Sequence, residues 1–294
     1  MTELSNYAKI LPMHPRDAWI FYILIQEGVR TTKVRDFEVK NRIGESDKYR
    51  VYLGEKANGS SVVLKVAKTF EDGDVLAFEA GKFNTMKTFE AEIRRFQNPT
   101  KENDSHYDWL FAKLEASFID ESQGGRRINA YSLPDVDFDK LIPLSKLMAK
   151  IEVDAKTSAW ILGRIFKLYG FFELIAVAND QSTIEYPVFS IGDYLIEPEK
   201  HRVIFYNFPE KNVDVVANDY VKEIAKTFLE WVVIEEEDKA YRELLENLAR
   251  DGSMTFEAAH KMMYAVIEEL WGRKYHTFTY RDKGTLIWKK LKED

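Results

Sequence analysis

The sequence predicts an α+β fold, and three observations carry that prediction. The first half holds short runs rich in β-branched and aromatic residues, separated by turn-forming residues. From about Pro134 onward, apolar residues recur at helical spacing. That helical half is interrupted once, by a short β hairpin near residues 194–205. Strands followed by helices argue for segregated α and β elements rather than for alternating βαβ units. With 294 residues the chain can bury a substantial core as one large domain or two lobes.

Residues 1–37 read as an extension ahead of the main domain. Pro12 and Pro15 interrupt it, and the apolar run 19–25 follows Asp17, a candidate helix N-cap. From Phe37 the texture becomes β-like. Residues 50–53 and 61–66 predict two strands, and residues 56–60, with Asn58 and Gly59, supply the turn of a hairpin. A helix is predicted over 75–96, then strands over 109–119 and 127–132. Residues 38–133 thus form a β-rich N-terminal lobe and residues 134–294 a larger helical lobe.

Within the helical half, Ile161, Ile165, Leu168 and Phe172 share one helix face. Ile224, Phe228, Trp231 and Val232 repeat the pattern, as do Leu244, Leu245 and Leu248, and then Ala259, Met263, Val266 and Leu270. The interrupting hairpin is predicted from residues 194–196 and 203–205, joined by 197–202.

Order and spacing of these elements resemble the protein-kinase fold over roughly residues 38–235. The glycine-rich loop pattern G-x-G-x-x-G falls on Gly44 to Tyr49, and only its first glycine survives. Backbone amides of such a loop approach phosphates closely because glycine has no side chain. Ser46 and Tyr49 place bulk there, so either a ligand-free turn or a nucleotide contact by Gly44 is compatible with the residues. The lysine that holds α- and β-phosphates in the family matches Lys65, and its glutamate partner matches Glu79, with Glu90 and Glu92 as alternatives. Adenine would be read by backbone groups near residues 128–133.

Aligning H-R-D-x-x-x-x-N on the hairpin segment puts its first three residues at Tyr186, Pro187 and Val188 and its asparagine at Asp193. The general-base aspartate is therefore Val188, which can neither accept a proton nor orient a hydroxyl. Glu185 is a neighbouring carboxylate. The D-F-G aspartate falls on Asn207, so the two metal-ligand positions have exchanged residue types as Asp193 and Asn207. One carboxylate and one amide would still converge. The resemblance thus implies ATP with Mg²⁺ or Mn²⁺ as the cofactor such a site would hold, set against the reading of both as ordinary loop residues. Asp219 matches the buried aspartate that braces the catalytic loop. Only ten residues separate Phe208 from Asp219, too few for the usual peptide-docking segment. Residues 270–280 are similar to the tails of bacterial kinase-like proteins.

The absence of cysteine removes disulfides, thiolate metal sites and thiol nucleophiles together and fits a cytoplasmic protein. The net charge of -7 gives no electrostatic footprint for nucleic acid or an anionic membrane. No apolar run reaches the roughly 20 residues that span a bilayer. His14, His106, His201, His260 and His276 show no zinc-motif spacing. The acidic run 235–238 reads as a solvated helix junction, and residues 288–292 as a slightly basic tail. The expected function is a catalytically inactive, degenerate bacterial-type pseudokinase, a regulatory or scaffolding module with a protein partner. That reading is compatible with residual nucleotide binding, and two rivals stand beside it: a divergent nucleotide-dependent transferase acting on a small molecule or an unusual acceptor, and a purely structural assembly component with an empty cleft.

Overall fold

The structure, a computed structural model, describes residues 32–96, 107–133, 136–137, 140–178, 186–187, 189–208, 212–213, 217–250, 254–272 and 276–291. It divides into two compact units, one formed by the described part of Met1–Ala77 with Leu114–Ser132, the other by Phe78–Lys113 with Leu133–Asp294.

The first unit is built on strands β1 (Thr32–Val34), β2 (Phe37–Glu45), β3 (Tyr49–Lys56) and β4 (Ser61–Ala67). Helix α1 (Gly73–Phe96) starts here and continues in the second unit, and β5 (Lys113–Asp120) and β6 (Arg126–Ser132) complete the sheet. The sheet order is β1-β2-β3-β4-β6-β5. The sheet begins earlier than the proposed end of the extension at residue 37. Thr32–Val34 turns through Arg35, which adopts a left-handed φ of 50°, and pairs with Phe37–Val39. The run 19–25 lies outside the described residues.

The predicted β3–β4 hairpin forms for the reasons its sequence gives. Gly59 takes φ +81°, its N–H donates to Lys56 O, and Asn58 Oδ1 accepts from Ser60 N at 3.0 Å. Because strand side chains alternate, β4 presents Val62 and Leu64 to one face and Val63 and Lys65 to the other. Val62 and Leu64 join Val34, Phe37, Val39, Ile128 and Ala130 in a core. The strand predicted over 109–119 starts later, at Lys113. Before it, Phe111 makes an isolated parallel bridge to Phe205.

In the second unit β7 (Ile142–Pro143) and α2 (Leu144–Lys150) lead into β8 (Ile151–Asp154) and the long helix α3 (Ala155–Ala178). Asp154 Oδ1 accepts from Thr157 N at 2.8 Å and caps α3. Buried Ile161, Ile165, Leu168 and Phe172 form its predicted face. Strand β9 (Tyr186–Pro187) precedes the hairpin of β10 (Tyr194–Glu197) and β11 (Arg202–Phe205), whose order β11-β10-β7 makes a small sheet. Strand β12 (Asn212–Val213) pairs with β9.

Helix α4 (Ala217–Trp231) ends one residue before Val232, which was grouped with its face. Val232 instead opens β13 (Val232–Val233), parallel to β8. Helices α5 (Lys239–Arg250) and α6 (Phe256–Trp271) follow, then β14 (Thr279–Asp282) and β15 (Lys289–Lys290). A four-stranded sheet of order β13-β8-β14-β15 therefore closes this unit, and the residues read as a basic tail supply its edge. Helix α6 is capped twice, by Thr255 Oγ1 accepting from Ala258 N and by Glu173 of α3 accepting from Phe256 N at 3.1 Å. Among the described residues, no helix is long and apolar enough to cross a membrane.

Candidate functional site

Lys65 and Gly44 lie in the first unit, and Glu79, Asp193 and Asn207 in the second. Each group is described within its own unit.

In the first unit Gly44 stands opposite Val51, at the end of the β2–β3 hairpin. The turn that follows is internally satisfied. Ser46 N donates to Tyr49 O at 2.9 Å, and Ser46 Oγ accepts from Lys48 N at 3.2 Å and Tyr49 N at 3.1 Å. Two amides that a phosphate-binding loop would offer to a ligand are thus spent on a side-chain hydroxyl. Beside them, Glu45 is held below the usual carboxylate range, first by its bond from Lys68 and further by Arg42 and Arg50.

Lys65 is wholly buried. Its Nζ sits 5.1 Å from the centroid of the Tyr49 ring and 5.5 Å from that of Tyr131, so two aromatic faces border the ammonium. Alternation along β6 puts Asn129 and Tyr131 on the same side of the sheet as Lys65. Asn129 Nδ2 donates to Leu76 O at 2.7 Å and to Tyr131 Oη at 3.0 Å, fixing both to the start of α1. Sequence reasoning gave the stretch 128–133 only a backbone role. The alternating pattern Ile128, Ala130 against Asn129, Tyr131 was the signal that its side chains face two ways.

In the second unit Glu79 is buried on α1, and its Oε1 accepts from the backbone N–H of Phe208 at 2.9 Å. That bond ties α1 to the segment after β11. The Phe208 ring is held by the same neighbours: Phe83 of α1, Phe172 of α3 and Phe205 stand 5.7–6.3 Å away.

Asp193 closes a short 3₁₀ turn, Ile191–Asp193, whose N-cap Ser190 accepts from Gly192 N at 3.3 Å. Asp193 is buried, and its backbone C=O accepts from Tyr206 N at 3.0 Å. Asn207 Nδ2 donates to Asp193 Oδ1 at 2.5 Å. An ionised carboxylate has no proton to give, so the amide must present its N–H there and not its carbonyl. Nearby Tyr206 is held above its ordinary phenol range, mainly by burial and then by the charges of Asp193 and Glu79.

The structure therefore brings Asp193 and Asn207 together, as the exchange of residue types implied, but as partners of one another. Mg²⁺ takes hard oxygen ligands, usually one or two carboxylates with phosphate oxygens. Here one of the two positions gives an N–H to the other. Among the described residues, no group of three His, Cys, Asp or Glu side chains could hold a metal. Val188 and Glu185 lie outside the described residues, as does the side chain of Asp219 on α4. Tyr169 of α3 donates to the carbonyl of Pro187 at 3.1 Å, next to Val188 in the chain.

No family model and no curated protein match the chain. Solved structures do. The structure of vaccinia related kinase 3 is similar at a TM-score of 0.55 and 8% identity, over 87% of this chain and 96% of that one. The kinase domain of Mycobacterium tuberculosis PknI aligns at 0.45 and 12% identity, over 81% and 98%. An apo pseudokinase aligns at 0.44 and 14% identity, over 80% and 84%. The chain has a protein-kinase-like fold.

Proposed function

We propose that this protein is a pseudokinase: a kinase-like fold that transfers no phosphate and works as a regulatory or scaffolding module through contacts with other proteins. The observation that carries the reading is the bond from Asn207 to Asp193. Where a kinase needs oxygen ligands for magnesium, one of these two side chains turns an N–H toward the other. Three further features support it. Val188 stands at the general-base position of the motif. Ser46 occupies the amides of the glycine-loop turn. Tyr49 and Tyr131 border the ammonium of Lys65.

The test is thermal unfolding with ATP and Mg²⁺ or Mn²⁺. A ligand at 100 times its dissociation constant stabilises the folded state by about 2.7 kcal/mol. The expected result is no shift at millimolar nucleotide. A shift that Lys65→Ala abolishes, together with ATP turnover, would replace this reading with that of a divergent transferase.

A further inference from the structure

The second unit carries a concavity of about 340 Å³ away from the residues discussed so far, lined by Trp109, Arg164, Lys200, His201, Arg202 and Val203, among others. Three elements build it: the stretch before β5, helix α3, and the turn between β10 and β11. They are fixed to one another. Phe205 N donates to Leu110 O and Ala112 N to Phe205 O, both at 2.8 Å, which holds the stretch before β5 alongside β11. The Arg202 guanidinium lies 5.8 Å from the Trp109 centroid. His201 takes a left-handed φ of 52°, donates from Nε2 to His276 O, and packs edge-on against Trp160 at 5.0 Å. A non-glycine residue held at positive φ by two such contacts makes a rigid turn.

The charge here runs against that of the whole chain. Four cations, Lys140, Arg164, Lys200 and Arg202, stand against two carboxylates, Glu197 and Glu199. Lys140 pairs with Glu199. Glu197 is fully buried, accepts from Asp137 N, and is shared between Lys200 Nζ at 3.2 Å and Arg202 Nε at 4.0 Å. Among the described residues, no carboxylate pairs with Arg164. In a protein of net charge -7, a local excess of positive charge in a concave wall focuses potential on an anion.

The lining also has the composition of a protein-binding anchor. Trp and Arg are the residues most enriched at interface hot spots, and Trp109 is 41% exposed despite its size. A pocket of this volume takes a side chain or two rather than a nucleic-acid strand, which needs an extended basic stripe.

We propose that this concavity docks a short acidic peptide segment of a partner protein, its carboxylates on Arg164 and Lys200 and an apolar atom group against Trp109. The proposal rests on the reading of the chain as an interaction module and gives the partner's chemistry. It is tested by fluorescence anisotropy with fluorescein-labelled octaglutamate at low salt, with octalysine as the opposite-charge probe.

The expected result is saturable binding of octaglutamate alone. It is weakened at least tenfold by Arg164→Glu and by Trp109→Ala, and unchanged by Lys283→Glu in the exposed turn after β14. Melting curves of each variant show whether it is folded. Trp109→Ala, which alters an exposed side chain, keeps the test decisive if Arg164→Glu is unstable. No saturable binding, or equal loss with Lys283→Glu, would overturn the proposal and leave the nucleotide result untouched. A nucleotide shift with turnover would remove the pseudokinase reading and leave peptide binding to be judged by its own variants.

Discussion

Asn207 gives its side-chain N–H to Asp193 across 2.5 Å, so a neutral amide is one partner of a buried carboxylate. Asn207→Asp sets two carboxylates against each other and removes the donor. Urea unfolding is expected to show a loss of about 2–3 kcal/mol. Millimolar Mg²⁺ is expected to recover part of that loss in the variant and to leave the parent unchanged. Equal stability of the two proteins would contradict the pairing.

Much of this arrangement could be read from residue order, and the parts that could not have physical reasons. The β3–β4 and β10–β11 hairpins announced themselves through β-branched runs around turn residues. The apposition of Asp193 and Asn207 followed from motif spacing. The polarity of their contact did not, because spacing does not say which end of an amide faces a carboxylate. The role of Tyr131 was hidden for a related reason: its neighbours set its direction, through Asn129 and the start of α1. The sheet β13-β8-β14-β15 was missed because its strands have two to four residues each, below the length at which alternation is detectable, and because partners such as Val153 and Tyr280 are far apart in the chain.

Glu79 accepts the Phe208 N–H in a buried setting. Glu79→Ala leaves that N–H without an acceptor and is expected to cost about 1–3 kcal/mol. Glu79→Gln keeps an acceptor oxygen and should lose less. Amide hydrogen exchange reports the bond directly: Phe208 should exchange faster in the alanine variant than in the glutamine one.

Helices α3 and α6 meet at Gly163, where an added Cβ would lie 2.8 Å from Met263 Cε. The end of a methionine side chain can rotate away, and alanine in a helix interior gains about 1 kcal/mol over glycine. Gly163→Ala is therefore expected to remain within about 1 kcal/mol of the parent, the propensity gain offsetting the contact. Gly163→Val adds branching that cannot turn aside, and about 2–3 kcal/mol should be lost in equilibrium unfolding. A valine variant as stable as the parent would mean that the helices do not touch there.

His260 on α6 is pushed down from 6.5 to about 4, first by burial and then by the positive charges of Lys167 and Arg164. Above 6.5 the ring is neutral in both states and the full stability is present. As pH falls from 6.5 toward 4, the unfolded chain takes up a proton that the folded one refuses, so stability declines. The loss attributable to this ring is on the order of 2 kcal/mol. His260→Gln, neutral throughout, should show a shallower decline between pH 6.5 and pH 4 in the urea midpoint. An unchanged slope would assign the decline to other groups.

The sheet that closes the second unit joins positions distant along the chain. Val232 runs beside Val153, Tyr280 pairs with Val153 from the other side, and Arg281 reaches Glu152 across 129 positions. A growing polypeptide can form α3 as soon as its residues leave the ribosome, but β8 keeps an open flank until the β14 residues have been translated. For that interval its N–H and C=O groups and the apolar side chains around them are exposed. Long-range strand pairing of this kind is slow and open to aggregation. A polypeptide cut short before Thr279 would leave the flank of β8 that β14 covers without its strand.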